Sequence, residues 1–518
     1  MNGKTGGNRG PRRPGALALM TAVAVLTACG GTLSSVGSAS TGSATFRADL
    51  AYAHCMQTHG LPSFPDPKPP AGFGISGHLD GNRNSPAAQA NDACKHLLPN
   101  GSTTARATAS PPGAAVADCL ALRPPCYAPR QLRVAYGIQP LLDRGINGRG
   151  QTVVLLEFPP APGLLAGTRK PVPAVSDIRQ DLAQFDTVFD LPAARLQVVN
   201  TLAHAASPWL ATLEEVEDTE IVHAVAPEAA IREVLIPSAT TARPGKVAAA
   251  AVAALRLGLA QGAVIELSAG AGEQCFSPAV AAQANSALQA AQRDRVTVVI
   301  STGDSGAATT PCPGAGTAAA PVKGVDLPAS DPLTLAVGGT SLQASRTTGA
   351  YIGETAWNIP LPAGGPGASG GGLSRVFPRP AYQDGIVGIG ATRGVPDVAA
   401  DADPRTGMAL AISGAGDYVL IGAGGTSAAA PLWAAVIALA DQYAGRHLGF
   451  VNPAIYRIGR SAYYHQAFHD ITTGTNTVTF PAQTITGYQA GPGWDPVTGW
   501  GSPDAQVLVP LLARYVSP

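Results

Sequence analysis

Apolar positions along the chain fall into short, near-continuous runs separated by stretches of helical period. TVVLLEF (152–158), AIREVLIP (230–237), AVIELSAG (263–270), VTVVIST (296–302) and LTLAVGG (333–339) read as strands. They are short, rich in Val, Ile and Leu, and apolar on both faces. Helical patterns lie between them at 174–187, 209–226, 246–261 and 277–294. Strands that are apolar on both faces and alternate with helices predict a parallel sheet covered on both sides, an α/β fold. The last third is richer in glycine and turns, and no internal repeat is present.

Composition sharpens this picture. The chain has 518 residues, of which 13% are charged, with 34 basic and 34 acidic side chains. The charged share is about half the usual ~25%. Hydrophobic residues make up 45%, enough for a large core, and the 61 glycines and 46 prolines fit many turns. These numbers exclude a disordered chain and one that binds nucleic acid through bulk positive charge. A neutral, charge-poor surface gains little self-repulsion when its carboxylates protonate, which hints at tolerance of acid.

The N-terminus reads as an export signal. Lys4, Arg9, Arg12 and Arg13 precede the apolar run ALALMTAVAVL, which ends at Leu26. This is the layout of a signal peptide, shorter than a ~20-residue membrane span. The following Leu26-Thr27-Ala28-Cys29 resembles a bacterial lipobox, so Cys29 is expected to carry lipid after cleavage. The alternative is ordinary secretion. The segments then read as a leader (1–28), a flexible tether (29–45), a small module containing Cys55 and Cys94 (46–100), a linker (101–118) and one large domain (119–518). Lipidation of Cys29 leaves six of the seven cysteines for disulfides. Proximity suggests Cys55–Cys94, Cys119–Cys126 and Cys275–Cys312.

The sharpest chemical motif is Gly424-Gly425-Thr426-Ser427-Ala428-Ala429-Ala430-Pro431, leading into LWAAVIALADQYAG. Two glycines permit a tight turn. Ser427 falls at the start of an apolar helix, where free N–H groups and the helix dipole stabilise negative charge. That suits a nucleophile beside an oxyanion hole. The plainer reading is a serine capping a helix, with Pro431 in its first turn.

A nucleophile needs a base. The His-Gly of subtilisin-type sites occurs only as His59-Gly60, in the small module. Asp304-Ser305-Gly306 mimics the matching Asp motif but in the wrong order, and His204 and His223 lack the expected neighbours. A carboxylate fits better. On a helix over 209–226, Leu210, Ile221, Glu214, Val225 and Asp218 fall near ~0, 20, 40, 60 and 80° at ~100° per residue. Glu214 and Asp218 therefore continue the apolar stripe and lie side by side. Two buried carboxylates raise each other's proton affinity. The plainer reading is a solvated acidic face, since Glu215, Glu217 and Glu220 are close by.

From about Tyr127 to the C-terminus the chain resembles the sedolisins, or serine-carboxyl peptidases, especially their kumamolisin-like members. The resemblance rests on TLEEVEDTEIVHAVAPEAAI, VTVVISTGDSG, LPASDPLTLAVGGTSL, SGGGLSRVFPRPAYQ, RGVPDVAADADPRTG, GGTSAAAP, FHDIT and YQAGPGWDPVTGWGSP, in that order. It implies a subtilisin-like fold that cuts peptide bonds in acid through an acyl-enzyme. In those roles Ser427 is the nucleophile, Glu214 the general base, Asp218 its orienting partner and Asp304 the oxyanion-hole acid. It also implies one structural calcium ion near the C-terminus, at Asp470, Ile471, Gly491, Gly493 and Asp495. Protein or peptide is the expected substrate, nucleic acid is not, and a monomer at or beyond the cell surface is expected. Glu157 matches a glutamate that extends the catalytic network in kumamolisin-like members, while Ala269 stands where the tryptophan of that network belongs. A long folded propeptide usually precedes the catalytic domain in this family, and residues 30–118 do not resemble one. The competing readings are a catalytically silent surface lipoprotein and a subtilisin-like enzyme with a histidine base.

Overall fold

The strand runs assemble into one eight-stranded sheet, seen in a computed structural model. It describes residues 126–158, 177–200, 213–236, 263–309, 312, 321–360, 367–414 and 417–516, together with Cys55, Thr58 and Cys94. The strands are β1 (Thr152–Glu157), β2 (Arg195–Asn200), β3 (Ala230–Leu235), β4 (Val264–Leu267), β5 (Thr297–Ser301), β6 (Leu335–Ala344), β7 (Tyr351–Ala356) and β8 (Val398–Asp401). Their order is β8-β6-β5-β4-β1-β3-β2, with every neighbouring pair parallel; β7 runs antiparallel beside β6.

Five helices matter for the site. They are α1 (Ile178–Phe189), α2 (Leu213–Val225), α3 (Pro278–Arg293), α4 (Thr426–Ala444) and α5 (Ala505–Tyr515). The Asp177 carboxylate accepts from Arg179 N–H at 3.0 Å and so caps α1. The alternation of the strands divides the core in two. Val153, Leu155, Val264 and Val299 face α2, α4 and α5, whereas Val154, Leu156, Ile265 and Ile300 face α3. Both faces are covered, as continuous apolar strands require. The subtilisin-like α/β arrangement expected from the sequence is therefore present.

The chain adds β2 and β3 on one side of β1 and then β4, β5, β6 and β8 on the other. Such a reversal leaves a crevice beyond the carboxyl ends of the strands. The helix α4 crosses this face, buried from Thr426 to Asp441, and packs on α2, α5 and the central strands. Trp433 is fully buried, and its Nε1 donates to the Ala399 carbonyl of β8 at 2.8 Å. A hairpin of β9 (Ala409–Gly414) and β10 (Asp417–Gly422) closes over α1 and α2.

Cys55–Cys94 and Cys275–Cys312 are disulfide-bonded. Cys126 is disulfide-bonded too. Cys29, Cys119, His59, His204 and the helix expected over 246–261 also lie outside them. No helix among the described residues is long and apolar enough to cross a membrane.

Candidate active site

The glycine pair makes the turn into α4. Gly425 has φ +91°, a conformation costly for any residue with a Cβ. It is the cap, so Ser427 occupies the second position of the helix and caps nothing. Ser427 retains 8% exposure at the mouth of the crevice. Pro431 sits in the second turn, not the first as expected from the sequence. Its missing N–H is the one that would have paired with the Ser427 carbonyl. Packing around the buried Ala-rich helix outweighs that loss.

The acidic helix is buried nearly all round. Glu215, Glu217, Asp218 and Glu220 are each at most 1% exposed, so the solvated acidic face is ruled out. Glu214, in the first turn of α2, stays half-buried and hydrogen-bonds the Ser427 hydroxyl. Burial pushes Glu214 up to about 7; the bond from Ser427 opposes that shift and nearby Asp304 adds to it. Glu217 was not singled out from the sequence, yet its Oε1 accepts from Gly424 N–H at 2.9 Å and fixes the nucleophile turn. Its spacing of three residues from Glu214 was the available signal. Glu220 Oε2 likewise accepts from Ala411 N–H at 2.9 Å and anchors β9.

Asp304 follows β5 and reaches the same turn. Its Oδ1 accepts from Thr426 N–H at 2.8 Å and from Thr426 Oγ1 at 2.9 Å. Thr426 Oγ1 in turn accepts from Gly303 N–H at 3.0 Å. Burial raises the Asp304 pKa against these two bonds from Thr426. With Oδ1 committed as an acceptor, a proton on this carboxyl resides on Oδ2. That oxygen points at Gly425, where a Cβ would lie only 2.7 Å away.

Asp218, one turn along from Glu214, meets two carboxylates of the sheet. Oxygens of Glu157, Asp218 and Glu266 all lie within 4.8 Å of one another. Register explains the convergence. Leu155 pairs with Glu266 on one side and Glu233 on the other, and Glu157 is two residues beyond Leu155. All three glutamates therefore project from the α2 face. Glu266 and Glu233 passed unnoticed in the sequence, although a charge inside an apolar strand was the signal. Ala269, in place of the expected tryptophan, packs against the α3 side of the core.

His223, the described histidine on α2, is fully buried, with Nε2 2.8 Å from Asp186 Oδ1 and 2.9 Å from the Pro192 carbonyl. It lies nine residues beyond Glu214, ~13 Å along the helix at ~1.5 Å per residue, and so out of reach of Ser427.

The residues expected to hold calcium also meet. Gly493 N–H donates to both Asp470 oxygens, at 3.1 and 3.2 Å, and Tyr464 Oη donates to Oδ1 at 2.9 Å. Asp495 Oδ2 accepts from Gly491 N–H at 3.1 Å and from Thr498 Oγ1 at 3.0 Å. Its Oδ1 accepts from the N–H groups of Val497 and Thr498, at 2.8 and 2.9 Å. Burial pushes Asp495 up to about 6 against these bonds. Ile471 is buried beside Asp470. The donor set is oxygen only, as a hard cation requires.

Gly425→Ala tests the turn. A Cβ there is strained by the positive φ and collides with Asp304, so the variant should lose about 1–3 kcal/mol of stability. Thermal unfolding measures this, and an unchanged melting temperature would refute the geometry described for the turn.

Known proteins resemble this chain in sequence and fold. Residues 210–457 match the subtilase family. Kumamolisin from Bacillus sp. (strain MN-32) is 40% identical over 263 residues, covering 49% of this chain and 43% of that protein. Sedolisin from Pseudomonas sp. (strain 101) is 35% identical over 193 residues, covering 37% and 30%. The chain thus spans less than half the length of these curated relatives. A solved structure of Pseudomonas sedolisin, a serine-carboxyl proteinase complexed with two molecules of pseudo-iodotyrostatin, superposes with a TM-score of 0.60 at 26% identity, covering 74% of this chain and 97% of that one. By fold and by these matches the chain is similar to the sedolisins, and to kumamolisin over the stretch the two share.

Proposed function

We propose that the protein is an acid-acting serine-carboxyl peptidase, with Ser427 as nucleophile and Glu214 as general base. The observation that carries this reading is the Ser427–Glu214 hydrogen bond at the start of α4, with Asp304 beside it on Thr426. Ser427 Oγ attacks the scissile carbonyl while its proton passes to Glu214. The oxyanion is met by the protonated Asp304 Oδ2 and by the Ser427 N–H at the α4 terminus, since the N–H groups of Thr426 and Ala428 are already bonded. Glu214 then returns the proton to the leaving amine, and water, activated by the same carboxylate, releases the acyl group. Asp218 supports Glu214 from one turn along α2.

The pH dependence follows from two opposite demands. Glu214 acts only when ionised, and burial delays its ionisation to about 7. Asp304 donates only when protonated, and that form is lost as pH rises through its own raised pKa. Hydrolysis of unfolded protein by the full chain should give a bell-shaped profile. Its optimum is expected between the ordinary carboxyl range near ~4 and neutrality. Ser427→Ala and Glu214→Gln should each lower kcat by at least about 10³-fold. Asp304→Asn keeps a donor that cannot ionise, so its alkaline limb should move upward. Activity that survives Ser427→Ala, or a neutral optimum lost in His223→Ala, would overturn the assignment.

Asp470 and Asp495, with the carbonyls of Ile471, Gly491 and Gly493, are proposed to hold one structural calcium ion. Support comes from the two carboxylates converging on the Gly491–Gly493 loop. The ion would neutralise Asp495, whose surroundings supply hydrogen bonds but no cation among its named partners. A chelator should lower the melting temperature and calcium restore it; an unchanged melt would refute the site.

The chain is further proposed to be exported, with the segment boundaries read from the sequence and a lipid on Cys29. The lipobox-like Leu26-Thr27-Ala28-Cys29 supports this. Cys29→Ser should move the protein from the membrane fraction to the medium, and unchanged partitioning would sink the claim.

A further inference from the structure

We propose that Glu266 is a positioning residue of this site: its carboxyl takes a hydrogen bond from Asp218 and holds that side chain in register with the Glu214 base. The inference rests on the serine-carboxyl peptidase reading above.

Three observations carry it. Glu266 is fully buried, and its register opposite Leu155 aims it at α2. Ser268 Oγ donates to Glu266 Oε1 at 2.7 Å, which fixes that oxygen as an acceptor. Both Asp218 oxygens, Glu157 Oε1 and Glu266 Oε2 meet no hydroxyl or N–H donor. Contact between them therefore requires protons on the carboxyls themselves. Burial is the main cause that raises both groups; the Asp218–Glu266 hydrogen bond adds to the rise of Asp218 and opposes that of Glu266, the pattern of a donor and its acceptor.

The surroundings reinforce that need. The charges acting on Asp218 are Glu266, Glu157 and Glu214. Glu214 also acts on Glu266, and it is itself faced by Asp304. Glu157 is faced by Glu215, Glu233, Glu266 and Glu214. The cation named at this edge is Arg179 on α1, which acts on Glu233 together with Asp177. Among the described residues, no cation is named for Asp218 or Glu266 themselves, so the acids must share protons. Burial pushes Glu266 up to about 8, so as pH rises through that value it ionises and adds negative charge beside Glu214.

The test compares the full chain with Glu266→Gln and Glu266→Ala. Gln keeps the shape and the acceptor but cannot ionise. Its kcat at the optimum should stay within about threefold of the parent. Its alkaline limb should be shallower, because one ionisation that suppresses activity is gone. Ala leaves Asp218 without its acceptor, so kcat should fall about tenfold or more at unchanged KM. Gln should restore most of that loss.

Melting supplies a readout independent of catalysis. A carboxyl held above its unfolded pKa gives stability that is complete below about 4.3 and lost as pH climbs to about 8. The parent should therefore lose melting temperature between pH 5 and 8 more steeply than Glu266→Gln. An active parent matched by both variants in kcat, pH profile and melting would overturn the role of Glu266 alone. With calcium held saturating throughout, magnesium or zinc that raises the melting temperature of the parent but not of Glu266→Gln would overturn proton sharing in favour of a metal site. A parent inactive at every pH would overturn the peptidase reading, and with it this role in catalysis.

Discussion

Everything around the site depends on burying carboxyl groups without cations to match them. Elsewhere the fold handles a buried acid conventionally. Asp397 is fully buried but meets Arg393 through two bonds of 2.6 and 2.7 Å. Among the described residues, no cation is named for Glu157, Glu214, Glu217, Asp218, Glu220 or Glu266. Glu217, Glu220 and Asp304 instead take backbone N–H groups, while Asp218 and Glu266 take each other. Ionising every member together would be prohibitive in so dry a place. Bound protons are therefore part of the native structure.

The sign of the consequence is set by the direction of the shifts. Glu157, Glu214, Glu217, Asp218, Glu220, Glu233, Glu266 and Asp304 are all raised, each chiefly by burial. The folded chain therefore holds protons more tightly than the unfolded one. Their stabilisation is present in acid and lost as pH rises through the folded values. Acid tolerance is thus built into the core, beyond what a charge-poor surface supplies.

The same acids shape the geometry around Ser427. Glu217 holds Gly424, and Asp304 holds Thr426, the residues on either side of the cap Gly425. Ser427 is thereby held near Glu214 by bonds in which two buried carboxyls accept. A change in the charge of α2 reaches α4 directly through one hydrogen bond.

Much of this was legible in the sequence. The strand at 152–158 runs from Thr152 to Glu157, and that at 230–237 from Ala230 to Leu235, because two-sided burial writes itself as continuous apolar runs. The motif around Ser427 and the pairing of Glu214 with Asp218 rest on local geometry, the period of a helix and the demands of a glycine turn. What covers the far side of a helix is not local. Glu215, Glu217 and Glu220 read as solvated until the β9–β10 hairpin and α4 close over them. Glu266 meets Asp218 only because β4 pairs with β1 in one register. Sequence determined which residues have the chemistry, through spacing and local turn demands. Tertiary packing decided which of them lost water, and therefore which ones keep their protons.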